Sequence, residues 1–385
     1  MRKVAIVGIG QVPVKENWTS GLRELAVSAV LDAMDDANIK NADALYIGNM
    51  LGGNFSDQSN LGALISENAA LDVKEAVTVE AACGSGAAAF RQAVLAVASG
   101  TADTAIAVGV EKLTEYSEVS PANGLATAAD ADYEAAMGLS FVSINALLMQ
   151  RYMHEYNCNK NDFSGFVINA HKNAVHNKNA MFQSAITEEN YNKAKLIADP
   201  INLLDSSPIS DGAAAVIITT AEKASQYTSK PILVTACEVG MDTIALSRRS
   251  NPLRLKAVEN STTRAFQVAG IKHQDIDFVE PHDAFSIMTT LSLEASGFAE
   301  FGKATQLADE NIIGIHGRLP LSTFGGLKAR GHPVGATGMY QIVEATLQLR
   351  QEAPAAIQVP EPRRAMTQNI GGSASFVITN ILERV

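Results

Sequence analysis

Two rhythms of apolar residues alternate along the chain. Short, nearly continuous apolar runs at residues 4–8, 44–47, 77–79 and 105–108 favour β-branched or small side chains and predict buried strands. Between the first two, Leu22, Leu25, Ala26, Ala29, Val30 and Ala33 recur at three- and four-residue spacing. That spacing predicts a helix over residues 22–37 with one buried face. An alanine-rich segment running to Ala98 reads as another helix, and residues 276–279 and 376–379 read as further strands. Alternation of this kind predicts an α/β protein whose ligands sit beyond the C-terminal ends of strands.

The pattern repeats weakly. Ala37-Asn38-Ile39-Lys40, followed by Asp43 and an apolar run, is echoed by Ala269-Gly270-Ile271-Lys272, followed by Asp275 and Phe278-Val279, an offset of 232 residues. Gly8 meets Gly240 at the same offset. A glycine-rich turn later opens a helix in each half, at Cys83-Gly84-Ser85-Gly86 and at Gly331-His332-Pro333-Val334-Gly335. Two related α/β halves, each giving one loop to a shared site, is the economical reading. Within the first half, residues 112–199 show a helix-like stretch at 144–156 but too little strand pattern for a sheet. They read as an insertion, a lid over one face of the core. Its His154, His171 and His176 make no metal pattern, and the Lys and Asn around the last two predict a solvated helix face.

The stretch around Cys83 carries the first candidate chemistry. A β-branched run ends in small residues and a cysteine, and a helix follows at once. Free amides at a helix start, with the helix dipole, favour a thiolate over a thiol. Gly84 and Gly86 let other backbone approach closely. A free cysteine is also commonly buried as a small apolar residue, and this stretch by itself leaves both readings open.

Composition narrows the setting. The three cysteines, Cys83, Cys158 and Cys237, form no CxxC pair, so neither a disulfide framework nor a cysteine-rich zinc site is expected. Net charge is −11, which argues against nucleic acid or an anionic membrane surface as partner. No apolar run approaches the ~18 residues that span a bilayer. The N-terminal apolar run is too short for a signal peptide, and the last three residues are not a Ser-Lys-Leu address. The expectation is a soluble cytoplasmic protein.

Three further clusters join Cys83: Glu280-Pro281-His282-Asp283-Ala284-Phe285 after a predicted strand, the glycine-rich run from Ser322 to Gly338, and Thr367-Gln368-Asn369-Ile370-Gly371-Gly372 before the closing strand. A cysteine nucleophile needs a base to ionise it and donors for the negative charge on an acyl oxygen. His332, between Gly331 and Pro333, is the best base. His282 is the best second imidazole, with Asp283 a candidate to orient local structure. The amides of Cys83 and Gly371 are candidate oxyanion donors.

At these motifs the chain resembles the thiolase superfamily, over almost its whole length. The resemblance rests on CGSG at residues 83–86, Met137-Gly138, LDSSPISDGAAA at 204–215, HDAF at 282–285, GGLKARGHPVGATG at 325–338 and NIGG at 369–372. HDAF, where bacterial and mitochondrial degradative thiolases have NEAF, points to the archaeal and sterol-carrier-protein-type branch. The resemblance implies a five-layered αβαβα fold of two repeated halves with an inserted loop domain. Residues 1–111 would begin the N-terminal half, 112–199 would be the insertion that holds coenzyme A, 200–229 would complete that half, and 230–385 would be the C-terminal half. It implies coenzyme A thioesters as substrates, no tightly bound cofactor and no metal. It also implies a homodimer or tetramer, and a small zinc-ribbon OB-fold protein as a further partner.

The implied activity is acyl-CoA C-acyltransfer: thiolysis of a 3-oxoacyl-CoA or the reverse Claisen condensation, with acetoacetyl-CoA the default substrate. Cys83 would take the acyl group and His332 would activate it. His282 and His332 would form one oxyanion hole, and the amides of Cys83 and Gly371 the other. The chain departs from the family at one place. Degradative thiolases carry a second cysteine in a C-terminal CxG motif, where this chain has Asn369; many sterol-carrier-type relatives carry it in HDCF, where this chain has Ala284. His282 is then the surrogate base, in a Cys-His-His set. The alternatives are a condensing enzyme with another acceptor, and a thiolase-like scaffold subunit that needs its partner.

Overall fold

The first apolar run forms β1 (Val4–Gln11) in the computed structural model, which describes residues 2–115 and 121–385. The expected helix follows as α1 (Leu22–Asp36), then β2 (Ala44–Gly48), the short α2 (Gly52–Phe55), α3 (Leu61–Asn68) and β3 (Glu75–Val79). The segment after Cys83 is α4 (Ser85–Ser99), and β4 (Thr104–Glu111) completes the run. Residues 112–199 hold α5 (Pro121–Ala126), α6 (Phe141–Tyr156), α7 (Ser164–Ala174), α8 (Glu188–Lys193) and β5 (Leu196–Ala198). The strand β5 pairs with β6 (Ile201–Asn202) in a small separate ladder. The chain then returns to the main sheet as β7 (Gly212–Thr220).

The second half repeats the first. It runs β8 (Ile232–Met241), α9 (Lys256–Ala269), β9 (Phe278–Glu280), α10 (Ser286–Ala295), the short α11 (Glu310–Ile313), α12 (Thr337–Arg350), β10 (Arg364–Gly371) and β11 (Phe376–Arg384). The sheet order is β3-β2-β4-β7-β1-β8-β11-β10-β9. Outward from its centre both wings pair alike: β1–β7 and β8–β11 antiparallel, β7–β4 and β11–β10 antiparallel, β4–β2 and β10–β9 parallel. The partner of β3 in the second wing shrinks to one parallel bridge, Val279 to Leu321. The wings meet where Val4, Ala5 and Ile6 pair with Val234, Leu233 and Ile232.

Side-chain alternation sorts these elements into five layers. Ala105 and Ala107 of β4 point into one core with α4, α12 and residues such as Phe278, Ala365 and Ile378 of the other wing. Ile106 and Val108, on the opposite face, pack with α1 and α3. The outer face of the second wing packs on α9 and α10. The order is therefore helices, sheet, α4 and α12, sheet, helices, with α4 and α12 buried between the two wings. Among the described residues no helix is long and apolar enough to cross a membrane.

Two expectations are corrected. The strand β3 is not buried: Val77 is 43 % exposed, and Glu75 and Thr78 are exposed as well. The reason is positional, since β3 ends the sheet and has a neighbour on one side only. His171 is not on a solvated face either. It is buried, stacks on Phe182 at 6.0 Å between ring centroids and lies 3.3 Å from the Ser184 carbonyl oxygen. Lys172 marks the wet face of α7, whereas His171 lies on the buried side with Asn169 and Asn173; His176 is exposed as expected.

In the middle layer α4 and α12 touch at their first turns. A Cβ added to Gly86 would lie 2.8 Å from the Gly335 carbonyl oxygen, and one on Gly338 would lie 2.6 Å from the Ala87 nitrogen and 2.4 Å from Asn369 Oδ1. Replacement of Gly338 by Ala therefore overpacks the crossing, at a cost of about 1–3 kcal/mol. Denaturant unfolding checks this, and an equal or higher midpoint for G338A would show that the crossing has slack.

Candidate active site

Each half delivers its candidate side chains on loops that end at this helix crossing. β3 stops at Val79, and Cys83 lies two residues before α4. The turn between them puts Ala82 at φ 52°, a left-handed conformation that costs an L-residue roughly 1–2 kcal/mol. Ser85 staples it: its hydroxyl donates to the Ala82 carbonyl at 2.6 Å and accepts from the Ala81 amide at 2.9 Å. The α4 N-terminus thus aims Cys83 at the sheet's C-terminal end. Cys83 is buried, and its own amide and that of Gly372 favour negative charge at its sulfur.

His332 follows Gly331, whose φ of 110° only glycine adopts readily. The His332 amide donates to Ser210 Oγ at 2.9 Å, tying the loop to the start of β7. Its ring Nδ1 lies 2.7 Å from Thr337 Oγ1, and Thr337 lies 3.1 Å from the Pro333 carbonyl. A carbonyl can only accept, so the one Thr337 proton goes there and the hydroxyl accepts from His332 Nδ1–H. That leaves the lone pair on Nε2. Glu111, at the end of β4, pins the same loop: its carboxylate accepts from the amides of Gly335 at 2.9 Å, Met50 at 3.0 Å and Leu51 at 3.1 Å, and from Asn49 Nδ2 at 3.0 Å.

His282 follows β9. Its ring stands edge-on to that of His332, with centroids 5.1 Å apart. His282 Nδ1 lies 3.1 Å from Asn369 Nδ2 and 3.3 Å from the Ile370 amide nitrogen. Asp283 does orient local structure, without touching either imidazole. It accepts from the Leu327 amide at 2.7 Å and the Ser322 hydroxyl at 3.1 Å, and so clamps the loop that carries His332.

Cys83, His282 and His332 line one cavity of about 300 Å³. Its other walls are mostly apolar: Phe141 and Val142 of α6, Ile209, and Ala284, Phe285 and Met288 next to His282. Residues from the insertion thus face residues from both halves across it. Gly371 is the last residue of β10 and packs against the Ala81 carbonyl; the next residue, Gly372, reaches the cavity wall.

The charge state differs from the one expected for a cysteine at a helix start. Burial pushes the Cys83 thiol up to about 12, with the Glu111 carboxylate adding to the effect and the two amides opposing it. Desolvation therefore outweighs the helix terminus, and the resting sulfur is a thiol. Burial lowers His282 to about 3, helped by the Arg330 cation. His332 falls well below the ordinary imidazole value through burial, then through His282 and Arg330. Both rings are neutral at pH 7. Arg330 is itself fully buried, 3.1 Å from Glu344 and 4.8 Å from the centre of the Tyr340 ring.

The partners that fix the rings were missed in the sequence. Thr337, Ser210 and Gly372 lie inside motifs that were recognised, but only as neighbours of the charged or nucleophilic residues, and Asn369 was read as the place of a second cysteine, not as an orienter. A count of hydroxyl groups flanking each histidine would have raised Thr337 as an orienter, whereas Asn369, 87 residues from His282, gives no such local signal.

A buried thiol and two neutral imidazoles thus share an apolar cavity carried by a doubled α/β core. Residues 4–222 match the family model described as "Thiolase, N-terminal domain", and residues 239–384 match "Thiolase C-terminal domain-like". The chain belongs to the thiolase family. It is 41 % identical over 386 residues to an acetyl-CoA acetyltransferase of Methanothermobacter thermautotrophicus, covering all of both chains. Sterol carrier protein 2 of Homo sapiens is 26 % identical, over 98 % of this chain and 72 % of that one. Among solved structures, an Ltp2-ChsH2(DUF35) aldolase shares the fold, with a TM-score of 0.85 and 24 % identity over 99 % of this chain and 97 % of that one.

The charge state has a direct test. Because the thiol lies near 12, alkylation of Cys83 in the free protein is expected to keep rising with pH, about tenfold per unit, with no plateau below about pH 9. Iodoacetamide labelling followed by peptide mapping reads this, and a plateau near neutrality would mean a resting thiolate–imidazolium pair.

Proposed function

We propose that the chain catalyses reversible thiolysis and Claisen condensation of 3-oxoacyl-CoA thioesters, with acetoacetyl-CoA the substrate, through an acyl-Cys83 intermediate. The observation that carries this is the meeting of Cys83, His332 and His282 on one apolar cavity. The full-length similarity to an acetyl-CoA acetyltransferase supports the same reaction and favours it over a different acceptor. A scaffold without chemistry has no use for a buried thiol facing two oriented imidazoles.

In the first half-reaction His332 Nε2 takes the Cys83 proton as the sulfur attacks the thioester carbonyl. The C–S bond to coenzyme A then breaks, and the departing thiolate recovers that proton from His332. The acyl oxygen needs donors while it carries charge. His282 with His332 provides one set and the amides of Cys83 and Gly371 the other, with the Gly372 amide alongside at the sulfur. Residues 112–199 act as the loop domain that receives coenzyme A, between an N-terminal half of residues 1–111 and 200–229 and a C-terminal half of 230–385. Coenzyme A enters as a substrate, and no tightly bound cofactor is needed.

The assembly is at least a homodimer, in the cytoplasm. An exposed β-branched edge strand supports this, because β3 presents an unpaired ladder and Val77 to a second copy. The structural likeness to an aldolase named with a DUF35 component supports a small zinc-ribbon OB-fold protein as a further partner.

Brief exposure to acetyl-CoA is expected to add one acetyl group, mapped by peptide mass to Cys83. Cys83→Ala removes the adduct and lowers thiolysis by at least about 10³-fold, and His332→Ala slows acetylation by about 10²–10⁴-fold. An adduct that survives in C83A would sink the assignment. For the assembly, Val77→Lys is expected to shift the protein toward monomer in sedimentation; an unchanged oligomer would exclude β3 as the contact.

A further inference from the structure

Claisen condensation needs a proton removed from the second acyl-CoA, and the cavity offers no second thiol for it: Cys158 and Cys237 do not line it. The hydrogen bonds around the two rings decide which imidazole is free to act. A backbone N–H can only donate, so His282 Nδ1 accepts from Ile370. With its lone pair used there, Nδ1 also accepts from Asn369 Nδ2. Turning the Asn369 amide over would set an oxygen against that lone pair. Asn369 Oδ1 has no partner and rests instead against Gly338, where no side chain competes for the space. Neutral His282 therefore keeps its proton on Nε2. His332 is held in the opposite tautomer by Thr337.

We propose that Asn369, with the Ile370 amide, is a positioning residue that locks His282 as a fixed Nε2–H donor, so that His332 alone carries the proton in both half-reactions. This rests on the acyl-transfer reading above. The proton count closes with one base. After the first half-reaction His332 is neutral again. It then takes the α-proton of the second acetyl-CoA on Nε2, and the resulting enolate is held by the His282 Nε2–H. The enolate carbon attacks the acetyl-Cys83 carbonyl, a C–C bond forms and the C–S bond to Cys83 breaks. The Cys83 thiolate recovers the proton from His332, which restores thiol and neutral imidazole and releases acetoacetyl-CoA. His282 gains and loses no proton.

The test uses the full chain in its native oligomer, labelled with [15N]histidine and assigned by difference against His282→Gln. The groups acting on His282 are the His332 ring, the Arg330 cation and the neighbouring Asp283, which is engaged with Ser322 and Leu327. Expected in the wild type is an unprotonated Nδ1 and a protonated Nε2, unchanged between about pH 5 and 8. Asn369→Asp offers a carboxylate acceptor and is expected to draw a proton onto Nδ1 and bring the ring into titration in that range. A wild-type Nδ1 that carries a proton overturns the proposal. The kinetic arm compares His282→Ala with His282→Gln, whose amide can donate but cannot act as a base. His282→Ala is expected to lose about 10²–10³-fold in kcat and His282→Gln to recover at least about tenfold of that. Equal losses in the two variants, with Cys83 still acetylated, would make His282 the base and overturn the proposal. A wild type that takes no acetyl group strikes the acyl-transfer reading instead, and the tautomer is then judged by the spectrum alone.

Discussion

The constraint on which the cavity depends is backbone on backbone: the first turns of α4 and α12 meet between the two wings of the sheet with glycine on both sides. Each helix starts directly after a loop that bears a candidate catalytic side chain, Cys83 on one and His332 on the other. Fixing the helix starts against each other therefore fixes the two loops. A side chain at the crossing would press on both helix starts and, at Gly338, on Asn369 as well. The remaining supports act on the same joint. Glu111 ties the His332 loop to residues 49–51, and Asp283 ties the loop before it to the His282 turn. The two halves contribute different chemistry to one cavity because their central helices share a single layer.

That layer is dry, and dryness sets the electrostatics. A helix N-terminus stabilises an anion by about 0.3–1 kcal/mol at an exposed site. Taking a thiolate out of water costs more than that, and at Cys83 burial dominates. The result is a thiol beside two neutral rings, with no charge among the three candidate catalytic groups at rest. Charge appears only when a substrate carbonyl arrives to share it. Arg330 strengthens this arrangement from behind: its buried cation disfavours imidazolium at both histidines.

Much of this was legible in the sequence. The repeat at an offset of 232 residues shows up as two wings of matching pairing, because equivalent strands and helices need the same apolar spacing wherever they occur. Cys83, His282 and His332 could be picked out because nucleophiles and imidazoles stand out among small residues. What stayed hidden was relational. Val77 reads as a core residue in the chain and is exposed because β3 ends the sheet, a fact about strand order and not about composition. His171 reads as a surface residue beside lysine and is buried because only one face of α7 is wet. The tautomers of His282 and His332 depend on Asn369 and Thr337, whose roles exist only once the loops are folded.

The loss of a second thiol also changes where the difficulty of the reaction lies. A thiolate at Asn369 would be a base strong enough to take an α-proton with modest help. A neutral imidazole whose basicity has been lowered by burial is not. The driving force must then come from holding the enolate oxygen, not from pulling harder on the proton. A donor does this best when it is already aimed and cannot turn away as charge develops. His282, held at Nδ1 by a backbone amide and a side-chain amide, is such a donor. On the proposed mechanism, asparagine at residue 369 is therefore an exchange of function rather than a vacancy: in place of a second proton carrier it fixes His282 as a donor.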